Sequence, residues 1–164
     1  MKVSEIMVTD IVTLGPEDSV AKALNLMASR SINQIPIVVD ENGKYLGMIF
    51  AKQIINSSAQ SSSKLKGYIV STSTLSRDHD IEKAAQLVIG SGNRAMPVVE
   101  KGELVGIVSE TDLVSTSDFG HAIVDEVMSG AIVIEENTSL ADAVSKMRRY
   151  NISRLPVINT KGIL

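Results

Sequence analysis

Three stretches of the chain carry apolar residues at helical spacing, and each leads into a short, nearly continuous apolar run. Val20, Ala23, Leu24 and Met27 fall on one helical face, as do Leu140, Ala143, Val144 and Met147. Ile81 and Ala84 hold the matching positions between them. Ser19, Asp80 and Ser139 stand immediately before these stretches. All three are residue types that cap helix N-termini, because a side-chain oxygen accepts from one of the first unpaired N–H groups. The apolar runs that follow are Gln34-Ile35-Pro36-Ile37-Val38-Val39, Ala95-Met96-Pro97-Val98-Val99 and Arg154-Leu155-Pro156-Val157-Ile158. Their prolines lie 61 and 59 residues apart, each cap lies 17 before its proline, and Ala23, Ala84 and Ala143 lie 13 before. A period near 60 in which cap, helix face and proline all stay in register marks three copies of one unit.

Each copy predicts the order β-α-β-β-α. Short β-like segments precede the caps at residues 11–14, 70–75 and 131–134. A turn follows each apolar run. The first is Asp40-Glu41-Asn42-Gly43, whose Asn-Gly is a strong hairpin signal, and the others are Glu100-Lys101-Gly102 and Asn159-Thr160-Lys161-Gly162. A second hairpin strand comes next, at 45–50 or 104–108, and a short helix at 52–55 or 110–114 closes the first two units. The polar tract 56–63 reads as a flexible linker, and residues 115–122 play the same part before unit 3. The units are therefore expected at 1–56, 64–115 and 123–164. Glu126-Val127-Met128 echoes Glu5-Ile6-Met7, so odd units resemble each other and the building block is a pair, made here by units 1 and 2. Unit 3 reaches its turn glycine, Gly162, but not its second hairpin strand. It is expected to be incomplete, with an apolar edge left unpaired.

Composition narrows the chemistry. Of 164 residues 44% are hydrophobic but only 3% aromatic, so the core is built from Val, Ile, Leu, Met and Ala. The net charge of −3 gives no basic face for nucleic acid. Without cysteine, disulfides and thiolate metal sites are excluded, and two histidines, His79 and His121, are too few for an ordinary zinc site. No apolar run approaches a membrane span and the first residues are no signal peptide, so a cytoplasmic chain is expected. There is no P-loop, no nucleophile beside a base and no carboxylate cluster to hold Mg²⁺, which argues against an enzyme.

The β-α-β-β-α unit, with its capped helix, proline-bearing strand and glycine turn, resembles the CBS domain over almost the whole chain. The most specific stretch is Leu104-Val105-Gly106-Ile107-Val108-Ser109-Glu110-Thr111-Asp112-Leu113. The resemblance implies an α/β (α+β) fold in which CBS units pack as a pseudo-twofold tandem pair, often dimerising further. It implies a regulatory rather than catalytic role. The implied ligands are AMP, ADP or ATP, with S-adenosylmethionine in some members, bound at the pair interface and read out by a partner protein. It also implies that Asp112 is the ribose ligand, with Ser109 and Thr111 beside phosphate and ribose. Ile107 would offer backbone groups and an apolar wall to the adenine. Pro97 belongs to the same set, Arg94 points at phosphate, and Ile11 and Val12, within the segment from Met7, form the facing wall.

The same residues have a purely structural reading. Ser109 with Asp112 three positions later is a capping box at a helix start. Against it stands the chemistry of a ligand site: a helix start attracts phosphate, a serine hydroxyl donates to it, and an ionised carboxylate suits the vicinal hydroxyls of a ribose. The alternative function is a ligand-independent dimerisation or docking module for an enzyme or transporter. Unit 1 departs at this place, with Phe50 and Gln53 where unit 2 has Ser109 and Asp112. A ring disfavours phosphate and an amide is a poorer partner for a diol, so one good site per pair is expected. Gly90-Ser91-Gly92 reads as a helix C-cap, and His79 and His121 as turn and linker residues. Lys146, Arg148, Arg149 and Lys161 read as a solvated cluster, and Glu135-Glu136 as a surface pair. Arg154 holds the slot of Arg94 in unit 3.

Overall fold

A computed structural model describes residues 1–39, 43–116, 129–150 and 152–163. The first three turn residues Asp40, Glu41 and Asn42, the histidine His121 and the echo Glu126-Val127-Met128 lie outside the described residues. By contacts the chain divides into two bodies, Met1–Asp118 and Phe119–Leu164. Among the described residues no helix is long and apolar enough to cross a membrane.

The larger body holds units 1 and 2. A single turn, α1 (Val3–Ile6), precedes α2 (Val20–Arg30), β1 (Gln34–Val39), β2 (Lys44–Phe50) and α3 (Ala51–Asn56). After a 3₁₀ turn at Leu65–Gly67 the second copy follows: α4 (Ile81–Ser91), β3 (Ala95–Glu100), β4 (Glu103–Ser109) and α5 (Glu110–Thr116). The β1–β2 and β3–β4 hairpins are antiparallel with matching registers, Ile37 opposite Gly47 and Val98 opposite Gly106, and each ladder shifts just beyond that pair. The hairpins meet at their turns, where Tyr45 N–H donates to the Gly102 carbonyl and Leu104 N–H to that of Gly43, both at 2.9 Å. The four strands thereby run in the order β1-β2-β4-β3.

Each hairpin carries its own apolar core, and the two cores exchange their leading segments. Leu14, Val20, Ala23, Met27, Ile35 and Ile49 pack together, but so does Leu65, at the start of unit 2. Leu75, Ala84, Val88, Met96 and Val108 form the second core together with Val3, the start of unit 1. Main-chain bonds fix the exchange: Val8 and Ile107 bond reciprocally at 2.9 and 3.0 Å, and Met48 and Val70 at 2.9 and 2.8 Å. Further along, Leu14 bridges Ile37 and Leu75 bridges Val98 in parallel. The β-like segment at 70–75 is therefore a short connector that touches both hairpins, and the one at 11–14 does so together with Val8 just before it. The sequence boundaries at 56 and 64 follow the repeat, whereas the cores are interleaved across them.

The crossing explains the paired glycines. A Cβ on Gly47, whose φ is +150°, would lie 2.5 Å from the Val70 carbonyl oxygen. On Gly106 it would meet the Met7 side chain, whose sulfur is 2.5 Å away. The first obstacle is backbone, while the second is mostly a flexible side chain.

Local capping follows the sequence in part. Ser19 accepts from Lys22 N–H at 3.2 Å, and Ser139 accepts from Asp142 N–H at 3.1 Å. Asp80 makes no side-chain cap, because its carboxylate is paired with Lys2 Nζ at 3.0 Å. Gly92 closes α4 in the left-handed region, as the Gly90–Gly92 pattern predicts. His79 accepts from Ser76 N–H through Nδ1 at 3.1 Å. Asp18, its counterpart in unit 1, accepts from Gly15 N–H at 2.8 Å. The same turn thus uses an imidazole in one copy and a carboxylate in the other. The linker tract is anchored on α2, with Val20 and Ala21 N–H donating to the Ser63 and Ser61 carbonyls. Those carbonyls satisfy helix-start donors that the flexible reading leaves unpaired.

In the smaller body β5 (Ile134–Glu135) pairs in parallel with β6 (Val157–Ile158), and α6 (Leu140–Tyr150) carries the helical face. Ala143 is buried, but Leu140 is 86% exposed where its counterpart Val20 is 2% exposed. Lys146 departs from the solvated reading: it is half-buried and donates to the Val133 carbonyl at 2.7 Å.

Two predictions follow from these contacts. Gly47→Ala is expected to destabilise the larger body by about 2 kcal/mol or more and Gly106→Ala by clearly less, as measured by urea unfolding. The Asp18 carboxyl lies below its ordinary value of 3.8, because Lys22 Nζ bonds it at 2.8 Å and Gly15 N–H adds a second bond. A depressed carboxyl stabilises above its unfolded pKa, and that stabilisation is lost as pH falls through the folded value. Stability is therefore expected to drop below about pH 4, and less steeply in Asp18→Asn, in melts recorded from pH 6 to 2.

Candidate functional site

Strand β4 runs into α5 at Ser109, and the side chains at this junction are held by one another. Ser109 N–H donates to Asp112 Oδ2 at 2.7 Å, Ser109 Oγ donates to the same oxygen at 2.6 Å, and Asp112 N–H donates to Ser109 Oγ at 3.3 Å. The capping box is thus fully formed. It commits one carboxylate oxygen and leaves Oδ1 without a hydrogen-bond partner among the described residues. Both residues are half-buried, while Thr111 between them is exposed.

The junction opens onto a cleft of about 550 Å³. Ile107, Ser109, Thr111 and Asp112 line one side, Ile11 and Val12 from the crossing segment line another, and Arg94 stands at the edge. The crossing thus brings the unit 1 wall against the unit 2 helix start. Arg94 precedes β3, and its carbonyl accepts from Glu110 N–H at 2.9 Å, which ties the arginine to the first turn of α5. Ile107 offers its side chain rather than free backbone, since its N–H is donated to Val8 and its carbonyl accepts from Val8. Pro97 does not line the cleft; it is buried in β3 opposite Ile107.

Residues that the sequence argument passed over complete the lining. Asp10 and Glu110 add two exposed carboxylates, and Asn33, Gln34 and Pro36 come from the start of β1. The repeat register contains the signal for the last group. Asn33 aligns with Arg94 and Gln34 with Ala95, so residues flanking one cleft have counterparts flanking the other. Gln34 is buried at 8% exposure, and its Nε2 donates to the Ala95 carbonyl at 3.0 Å, joining the two strand starts.

The pseudo-equivalent cleft of unit 1 is also open, at about 530 Å³. It is lined by Phe50, Lys52, Gln53 and Asn56, and it shares Asn33, Gln34 and Arg94 with the first cleft. Its α3 start is tied like that of α5, Ala51 N–H donating to the Asn33 carbonyl at 2.8 Å, but Phe50 supplies no side-chain cap. Among the described residues no three His, Cys, Asp or Glu side chains are grouped to hold a metal ion.

Comparison with known proteins agrees with this geometry. The family model for the CBS domain matches residues 3–59, 69–118 and 124–164. An uncharacterized protein of Methanocaldococcus jannaschii is 27% identical over 98% of this chain, which spans 39% of that protein's length. Among solved structures, a CBS domain pair in complex with 5′-methylthioadenosine and S-adenosyl-L-methionine is 26% identical. It superposes with a TM-score of 0.61 over 70% of this chain and 94% of its own. The CBS domain of a bacterial CNNM/CorC family Mg²⁺ transporter in complex with ATP is 16% identical, with a TM-score of 0.62 over 70% and 85% of the two chains.

Ser109→Ala removes both the acceptor for Asp112 N–H and one donor to its carboxylate. Loss of the cap is expected to cost the ligand-free protein about 1 kcal/mol in urea unfolding.

Proposed function

The chain belongs to the CBS-domain family, and from that premise we propose that its larger body is a regulatory module that binds an adenosine nucleotide and relays its presence to a partner protein. The observation that carries this reading is the convergence of Asp112, Ser109, Thr111 and Ile107 with Ile11, Val12 and Arg94 on one cleft. The aliphatic side chains form an apolar wall for a purine. Oδ1 of Asp112 is positioned to accept from a ribose diol, and Arg94 with the Ser109 and Thr111 hydroxyls supplies donors for phosphate. The cleft volume lies within the usual range for small-molecule sites. The larger body is also proposed to associate as a homodimer through its paired units.

A ligand-independent docking module is the second reading, and the closed capping box favours it, since Ser109 and Asp112 satisfy each other without a ligand. Thermal melts in AMP, ADP, ATP and S-adenosylmethionine separate the two. A nucleotide at one hundred times its Kd is expected to stabilise by about 2.7 kcal/mol. Asp112→Asn retains an acceptor oxygen for the cap but loses the anionic partner of the diol, so the shift is expected to vanish with little loss of apo stability. No shift with any of the four compounds would leave only the docking module.

A further inference from the structure

The two clefts of the larger body share a wall and carry opposite charge. Among the described residues, the first is lined by three carboxylates, Asp10, Glu110 and Asp112, against one cation, Arg94. Among the described residues the second contains no carboxylate; its charged residues are Lys52 and the same Arg94, accompanied by the amides of Gln53, Asn56 and Asn93. Arg94 and Asn33 are exposed at the boundary, so the common edge is open rather than closed over. The substitutions that separate unit 1 from unit 2 follow the same division: Gln53 stands where Asp112 binds its cap, and Lys52 stands where Thr111 does.

From this juxtaposition we infer that the clefts are two compartments of one site for a nucleoside polyphosphate. The nucleoside occupies the Asp112 cleft, and the phosphate tail crosses at Arg94 to reach Lys52, Gln53 and Asn56. The inference rests on the adenosine reading of the first cleft and specifies its ligand class. The charges support the orientation. Asp10 and Glu110 repel a polyanion held entirely beside Asp112, whereas Arg94 and Lys52 draw it across the boundary. The amides of the second cleft donate to phosphate oxygens, and the absence of a carboxylate there among the described residues removes the usual acceptor for a second ribose. The ligand complementary to this gradient has hydroxyl donors at one end and several negative charges at the other.

Calorimetric titration of the full chain at low salt, without divalent cations, tests the inference with AMP, ADP and ATP. Affinity is expected to rise with each phosphate, with one ATP bound per chain. Lys52→Ala is expected to weaken ATP by about tenfold and AMP by less than about twofold, since one charge-assisted bond to the tail is removed. Lys52 is exposed, and an unchanged melting temperature of the ligand-free variant would exclude misfolding as the cause. Inorganic tripolyphosphate is expected to compete with ATP but not with adenosine. Equal affinity for AMP and ATP, equal weakening of both by Lys52→Ala, or two ATP per chain would overturn the shared site while leaving the adenosine reading standing. Failure of every adenosine compound to bind would remove that reading and the shared site with it.

Discussion

Two reciprocal pairs of main-chain hydrogen bonds, Val8 with Ile107 and Met48 with Val70, hold the leading segment of each repeat on the hairpin of its sister. The close approach they require is possible because β2 and β4 carry glycine at the crossing points, Gly47 under Val70 and Gly106 under Met7. Most other features depend on this exchange. It completes the second core with Val3 and the first with Leu65. It carries Ile11 and Val12 to the α5 helix start, and it lets one short connector serve both hairpins. A side chain at Gly47 would force apart elements that must bury apolar surface together, whereas one at Gly106 would displace the Met7 side chain, and burial is the main term favouring the folded state.

At the helix start the same atoms have a structural use and a proposed chemical one. Asp112 satisfies a backbone donor and a hydroxyl with one oxygen and leaves the other without a hydrogen-bond partner among the described residues, so capping need not compete with the proposed ligand contact. Repeat 1 lacks this arrangement because Phe50 has no polar atom to cap with. Its helix start is instead fixed by backbone alone, through the Asn33 carbonyl. The two halves thus keep the same main-chain frame while their side chains diverge, and the pseudo-symmetry of the backbone becomes an asymmetry of charge.

Much of the fold was legible because the repeat multiplied weak local signals. Three caps, three helix faces and three prolines in register left little choice of elements, and in the larger body the hairpin strands and helices fall within a residue or two of their expected positions. What escaped depends on contacts distant in sequence. Val3 and Leu65 carry no local mark of joining the other repeat's core. Asp80 is a good cap by type, yet Lys2, 78 positions away, takes its carboxylate. Pro97 looked like a site residue from its place in the motif, but it is buried in β3 and is not among the described residues that line the cleft. Lys146 looked solvated from its neighbours, but the Val133 carbonyl lies within reach. In the cleft, Ser109, Thr111, Asp112 and Arg94 were readable from the motif, whereas Asp10, Asn33 and Gln34 enter only because the repeats interlock.

That interlocking has a consequence for a chain made from one end. The bond partner of Val8 is Ile107, 99 positions later, so a segment made ahead of repeat 1 is among the last parts of the larger body to find its place. At about 5–20 residues per second, synthesis leaves it waiting roughly 5–20 s before β4 exists. Over that interval Val3, Ile6 and Met7 have no sheet to cover. Repeat 1 needs only Leu65 and Val70 to complete its own half, which places its core early in the order of assembly and the cleft at Ser109 and Asp112 at the end.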